Sequence, residues 1–449
     1  MAESFPSTLH LTPHLGGGVG RVLLNYLGAA VRKGQRHSLL CLDYANDKAK
    51  AEAGRLGVKL GENMFWDQGT LSEAIAEADI LVVHWWNHPL LYAWMAGARI
   101  PKARTLTWSH VSGLSAPQIF TNEALGWPDL FAVANPVSFQ APEIMSLGAK
   151  DREARMRLIF SSAGLSHVSD YSVREHRDFR VGYLGTVDYA KMHQDFLGLC
   201  LAADVPDAVF TVAGGPSHES LRKEAEALGA SDKFEILGPI DNVGEFLSDL
   251  DVFGYPLTRE NYGTGEQVLI EAMAVGVPPV VFGHGCEEHV VDDGVTGLVA
   301  DGPEEYSECV ALLREDPALR KGLSKAAAEN ARARFHIDNT ILAFDSVYEE
   351  LLCLPKRERA PLGSGGLGPD GVFLLSQGSL ATGIYNRLEE WASQGSPPLD
   401  LGGLPAISWS ETRGSVFHYS SFFPDNRRLR RLSELMAALD PRKGGRTRN

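Results

Sequence analysis

Residues 261–279 read NYGTGEQVLIEAMAVGVPP and set Glu271 in a run that is apolar on nearly every side. Val268, Leu269, Ile270, Ala272, Met273, Ala274 and Val275 surround it, which is the pattern of a buried helix. An unpaired carboxylate is expensive there, so Glu271 needs a partner. Two readings stand. In one, an arginine or a backbone N–H satisfies the charge within the core; in the other, Glu271 faces a cleft and holds a ligand hydroxyl. Ahead of the helix Gly263 and Gly265 flank Thr264, and Glu266 follows. Thr264 and Gln267 have the spacing of a capping box, while Gly276 and Pro278 supply the stop.

Other residues offer anion chemistry. Gly16, Gly17 and Gly18 in LTPHLGGGVGRVLLNYL lie between a strand and a helix, where bare N–H groups can cradle an anion. The same run is a poor dinucleotide fingerprint, because Leu23 takes the third glycine position even though Asp43 ends the next strand. A tight turn that merely needs glycine is the plain alternative. In VGYLGTVDYAKMH, Gly185 ends a strand and Lys191 follows, a point charge suited to a diphosphate. His284, Cys286, Glu287, Glu288 and His289 fit no common ligand spacing, so no metal site is assigned. HWWNHPLLYAW (84–94) reads either as core plus loop or as an aromatic wall on the acceptor side.

The elements that must position these groups come in two series. HSLLCLD, ADILVVH and LFAVAN read as strands buried on both faces, with helices over 21–33 and 71–78 between them. FRVGYLG, AVFTVAGG, KFEILG, DVFGYP and VPPVVFG form a second set. Each series opens with a glycine-rich turn after its first strand, so the expected fold is α/β with two doubly wound domains. The join falls near 165–177, and 303–352 is helical. PLGSGGLGPDG then reads as a linker, and the basic segment from Arg427 ends the chain.

Composition narrows the partners. A net charge of −15 over 449 residues argues against nucleic acid. Five scattered cysteines without a CxxC pair favour a reducing, cytoplasmic setting. The N-terminus lacks a signal-peptide pattern, and the apolar stretch 80–95 is interrupted by His84, Asn87, His88 and Pro89, unlike a membrane span. The terminal arginines and lysines allow at most a peripheral contact with anionic lipid.

Taken in order over 9–348, these segments resemble the family 4 glycosyltransferases (glycosyl transferases group 1), retaining enzymes of the GT-B fold. The family signature is a glutamate, seven residues, then a second glutamate with Ala-Met-Ala and Gly-x-Pro; EAMAVGVP (271–278) matches its second half. GCEEHVVDDGVTGLVADG is similar to the following segment. His110 in TLTWSHVSG matches the histidine near the donor sugar, and Gly16, Gly17 and Gly18 match the glycine loop at the donor diphosphate. The family arginine corresponds to Thr186, and Lys191 matches the lysine after it. The first signature glutamate aligns with Gly263, so Glu260 or Glu266 must substitute; YGTGEQ favours Glu266.

The resemblance implies two Rossmann-like domains facing a cleft, at 1–170 (acceptor side) and 178–335 (nucleotide-sugar side). A helix over 336–354 would cross back to the first domain, followed by a loop-rich extension over 355–449 with a basic tail. It implies transfer from a UDP- or GDP-sugar to a hydroxyl acceptor (saccharide, lipid-linked glycan or natural product), without cofactor or metal. His110, Glu266 and Lys191 would act on the reacting groups. Gly185, Thr186, Thr264, Gln267, Val268 and Glu271 would join the glycine loop in binding the donor, with Glu271 on the ribose. The competing expectations are a non-catalytic nucleotide-sugar binder of the same fold and an NAD-linked oxidoreductase.

Overall fold

The computed structural model describes residues 5–363, 366–394, 409 and 411–440. Two compact units divide the chain, Met1–Ser161 with Ile341–Asn449, and Ser162–Thr340.

In the first unit β1 (Ser7–Thr12), β2 (Arg36–Cys41), β3 (Lys59–Gly61), β4 (Ile80–Trp85), β5 (Ile100–Ser109), β6 (Leu130–Val133) and β7 (Met156–Leu158) are parallel, in the order 3-2-1-4-5-6-7. The order reverses between β1 and β4, the switch point of a doubly wound sheet. Every residue of β4 is buried, as expected for a central strand covered on both faces. The sequence hides β5, because Lys102 and Arg104 interrupt its apolar run. Its buried Thr105 is satisfied by Asp129, whose Oδ2 accepts from the Thr105 hydroxyl at 3.1 Å.

The second sheet, in the second unit, holds β8 (Phe179–Val187), β9 (Ala208–Pro216), β10 (Phe234–Gly238), β11 (Val252–Tyr255), β12 (Pro279–Phe282) and β13 (Leu298–Ala300), all parallel. Its order 10-9-8-11-12-13 places the switch point between β8 and β11. Residues 162–170 belong here, so the boundary lies at 161 and not at 170. The reason is local: Ser162 Oγ donates to Phe335 O at 2.8 Å, and Ala163 N donates to Gln267 Oε1 at 2.6 Å.

The helix Ile337–Leu352 carries the chain back into the first unit, where Phe344 stacks on Tyr26 at 4.3 Å. A short strand β14 (Arg357–Arg359) then runs antiparallel to β5. The segment expected to be loop-rich instead carries helices Pro369–Ser376, Gly378–Gln394, Val416–Phe422 and Arg427–Leu439. Phe373, Tyr385 and Tyr419 on these helices are buried. Tyr419 OH donates to Asn87 Oδ1 at 2.8 Å. In the basic helix Leu429, Leu432 and Met436 are buried, and Arg428 pairs with Glu389 and Asp370. The extension is thus part of the first unit's core. The basic residues after 440 and the segment 395–408 lie outside the described residues.

Candidate active site

The second unit gathers its charged groups at the ends of β8 and β11, which flank the switch point. Near its end β8 carries Gly185, in a backbone conformation that side chains rarely adopt (φ 152°), and the strand continues to Val187. There β8 and β9 approach so closely that a Cβ on Gly214 would lie 1.8 Å from Gly185 O. Beyond the turn, Lys191 is held by backbone bonds to the segment after β11: Thr258 N donates to Lys191 O at 2.8 Å, and His193 N to Pro256 O at 3.0 Å. Thr186 is exposed.

Lys191 Nζ lies 2.7 Å from Glu266 Oε2. Tyr255 OH donates to the same oxygen at 2.6 Å, and Asn261 Nδ2 to Oε1 at 3.3 Å. Burial pushes the Glu266 pKa upward, but Lys191 and these hydrogen bonds outweigh it and hold the carboxyl below its ordinary value. Burial likewise pulls Lys191 down, and Glu266 more than offsets this, so the ammonium is reinforced. Gly263 makes room for the arrangement, because a Cβ there would sit 2.1 Å from Glu266 Oε1. Glu260, the other candidate acid, is half-buried upstream.

Glu287 was not assigned a role from the sequence, yet it is 2% exposed and belongs to this cluster. Burial first, and the charge of Glu266 second, push its carboxyl up to about 8. Glu266, Cys286 and Glu287 bring their ligand atoms within 4.8 Å of one another; the Lys191 ammonium already supplies positive charge at Glu266.

The helix carrying Glu271 runs Gln267–Val275, with Glu266 at its cap position and no side-chain cap bond. The expected capping box is therefore absent. Gln267 is the first helical residue, and its amide accepts from Ala163 N and donates to Gly265 O at 2.7 Å. Thr264 is buried, while Val268 is half-buried at the helix start. Gly276 ends the helix in the left-handed conformation (φ 96°). Glu271 is 1% exposed, and its Oε1 lies 3.0 Å from His167 Nε2. Its partner is a histidine from the segment before β8, a residue type the sequence reading did not consider.

In the first unit the helix Gly17–Arg32 starts at Gly16 without a side-chain cap. Gly17 and Gly18 are exposed, and a Cβ on either would meet nothing within 4 Å. The fingerprint reading fails locally, since Leu23 is fully buried at the third glycine position. His110 follows β5, is 8% exposed, and lies 2.9 Å from His84. Trp85, Trp86 and Trp94 are buried in this unit, so their stretch is core and not an open wall.

This architecture is that of the GT-B glycosyltransferases. Anabaena HepE, solved with UDP and glucose, superposes with a TM-score of 0.59 at 17% identity, covering 78% of this chain and 100% of that one. Sucrose-phosphate synthase from Thermosynechococcus elongatus gives 0.59 at 16% identity, over 77% and 99%. More particularly, residues 171–331, within the second unit, match the family described as glycosyl transferases group 1. D-inositol 3-phosphate glycosyltransferase from Acidothermus cellulolyticus is 34% identical over 151 residues, 31% of this chain and 33% of that protein. N-acetyl-alpha-D-glucosaminyl L-malate synthase from Bacillus anthracis is 27% identical over 155 residues, 34% and 40% of the two chains. The chain thus spans between a third and two fifths of these relatives.

Proposed function

We propose that the protein is a retaining glycosyltransferase that moves a sugar from a nucleotide-diphosphate sugar to a hydroxyl acceptor without a metal ion. The observation that carries this reading is the Lys191–Glu266 pair, delivered to the switch point of a group 1 domain. Lys191 offsets charge on the departing diphosphate, where a fixed cation acts most strongly. The N–H groups at Gln267 and Val268 add the positive end of a helix. Glu266 holds Lys191 in place and meets the transferring sugar. Glu271, oriented by His167, accepts from the ribose hydroxyls.

In this reading the bond from the anomeric carbon to the diphosphate breaks as the acceptor oxygen attacks from the same face. The acceptor proton passes to the departing phosphate oxygen. No carboxylate nucleophile is required, and configuration is retained. HepE, solved with UDP and glucose, favours a UDP-sugar for the first trials, and a relative named for inositol 3-phosphate favours a small polar acceptor. A GDP-sugar and larger hydroxyl acceptors complete the range, and the setting is taken as cytoplasmic. A thermal-shift screen of UDP- and GDP-sugars tests donor binding, followed by transfer to a panel of polyols in EDTA. Binding without transfer or donor hydrolysis would instead establish the non-catalytic binder.

A further inference from the structure

Three stretches of the first unit bring hydrogen-bond donors to the switch point of its sheet. His14 follows β1, and Trp86 and His88 follow β4, the two strands between which the order reverses. Ligands of open α/β sheets bind beyond such strand ends. The His14 ring centre lies 5.2 Å from that of Trp86 and 5.7 Å from that of His88. The extension completes the group. His418, on the helix Val416–Phe422, lies 5.1 Å from His88, and the Arg413 guanidinium lies 6.0 Å over the Trp86 ring. All five residues belong to one unit.

Backbone bonds decide what these imidazoles offer. Leu90 N donates to His88 Nδ1 at 3.2 Å, and Gly414 N donates to His418 Nδ1 at 3.0 Å. A neutral ring that accepts at Nδ1 carries its proton on Nε2. Burial first, with Arg413 contributing, holds His14 and His418 down to about 4 and His88 well below its ordinary value. The guanidinium charge is thus felt at all three rings, and no carboxylate counters it there. Among the described residues neither His88 Nε2 nor His418 Nε2 has a hydrogen-bond partner. His14 is 9% and Trp86 2% exposed, and His14 Nδ1 and the Trp86 indole N–H are buried without a partner. Such groups are costly unless something pairs with them.

Arg413 is held in place by its backbone. Gln118 Nε2 donates to Arg413 O at 2.7 Å, and Gln118 Oε1 accepts from Asn87 N at 2.8 Å. The next residue, Gly414, is left-handed (φ 81°), and a Cβ there would lie 2.9 Å from Asn87 Cγ. The Arg413 side chain itself is exposed, without an ion-pair partner among the described residues. The imidazoles do not form a metal set. Among the described residues only Glu266, Cys286 and Glu287 bring ligand atoms together, and a fixed guanidinium repels a cation.

We propose that this cluster is an anion site for the phosphate of a small phosphorylated polyol, with Arg413 as the charged fork and the Nε2–H groups of His88 and His418 beside it. A planar guanidinium pairs with two phosphate oxygens at once. Donors arriving from β1, β4 and the extension suit the three terminal oxygens of a phosphate monoester better than the two coplanar oxygens of a carboxylate. If the transfer reaction proposed above holds, the ligand is the hydroxyl acceptor; the acceptor assignment rests on that reading, and the anion site does not.

Glycerol 3-phosphate, glycerate and glycerol form a matched series of phosphate, carboxylate and uncharged ligand. Each would be titrated into the full chain by calorimetry at pH 8, where a phosphate monoester carries about two charges, with no nucleotide sugar present. The same titrations on protein with ¹⁵N-labelled histidine locate the ligand by NMR. Glycerol 3-phosphate should bind roughly tenfold more tightly than glycerate, glycerol should not bind, and the ring signals of His14, His88 and His418 should shift. Arg413→Ala should weaken phosphate binding roughly 10- to 150-fold, one charge-assisted hydrogen bond. Arg413→Lys keeps the charge but loses the fork, and should fall between. Equal binding of glycerate, unchanged affinity in Arg413→Ala, or shifts confined to histidines of the second unit would each overturn the site. Because no donor is present, absence of glycosyl transfer would leave the anion site standing. Transfer to glycerol but not to glycerol 3-phosphate would overturn the acceptor assignment alone.

Discussion

The Glu266 carboxylate fills the space that a side chain at position 263 would need, since a Cβ on Gly263 would lie 2.1 Å from Glu266 Oε1. A side chain at position 263 and the Glu266 carboxylate are therefore alternatives for one volume. An acid three residues later reaches the same place only if the earlier residue is glycine.

Gly263→Ala should accordingly push the carboxylate off Lys191. One charge-assisted hydrogen bond is worth about 1.5–3 kcal/mol, so turnover should fall roughly 10- to 150-fold. Far-ultraviolet circular dichroism should remain native. Full activity in this variant would show that Glu266 can act from elsewhere.

Glu266→Gln and Glu271→Gln should fail differently. Glu266 stands at the cap and Glu271 within the helix, and their partners are distinct, Lys191 and His167. Loss of Glu271 should raise donor KM more than it lowers kcat; loss of Glu266 should mainly lower kcat. Glu260→Gln should be active. Steady-state kinetics of the three variants decide, and the reverse ranking of Glu260 and Glu266 would move the site upstream.

His10, His37, His84 and His110 of the first unit and Glu287 of the second should contribute to stability with opposite pH dependence. Burial lowers these four histidines below their unfolded value near 6.5. The folded first unit then binds fewer protons, so this contribution is present above pH 6.5 and is lost as pH falls toward about 4. Glu287 is raised to about 8 by burial and then by Glu266. Its contribution is full below about 4.3, the unfolded value, and is lost as pH rises through 8. Hydrogen exchange resolved by peptide at pH 5, 6.5 and 8 should show the opposition, and Glu287→Gln should flatten the alkaline limb of the second unit. Parallel acid loss in both units, unaffected by that variant, would contradict it.

Removing residues 427–449 should destabilise the first unit, although the sequence alone reads this segment as a basic tail. Leu429, Leu432 and Met436 are buried, each worth about 1.5–3 kcal/mol, and Arg428 loses two carboxylate partners with them. A melting temperature unchanged by the truncation would mean the helix is not part of the core.

What the sequence made legible was what local pattern determines. The helix around Glu271 is delimited by its apolar run and by Gly276, and Lys191 is marked by the glycine turn before it. The capping box misled because a tertiary partner, Ala163, claims the Gln267 oxygen. Glu287 looked like a chance loop residue because spacing carries no information about burial. The contacts of His10 with His37 and His84, and of His84 with His110, were invisible for a stricter reason: they depend on the register of neighbouring strands, which the sequence does not state. The helices after 355 were masked by glycine and proline between short apolar groups.

Product configuration tests the proposed reaction most directly. Wild-type protein and Lys191→Ala would be incubated in EDTA with α-configured UDP- and GDP-sugars and hydroxyl acceptors including inositol 3-phosphate, and the products read by proton NMR. The wild type should give an α-linked product, and Lys191→Ala should give it far more slowly. A β-linked product, or transfer that appears only on adding a divalent metal, would contradict the account.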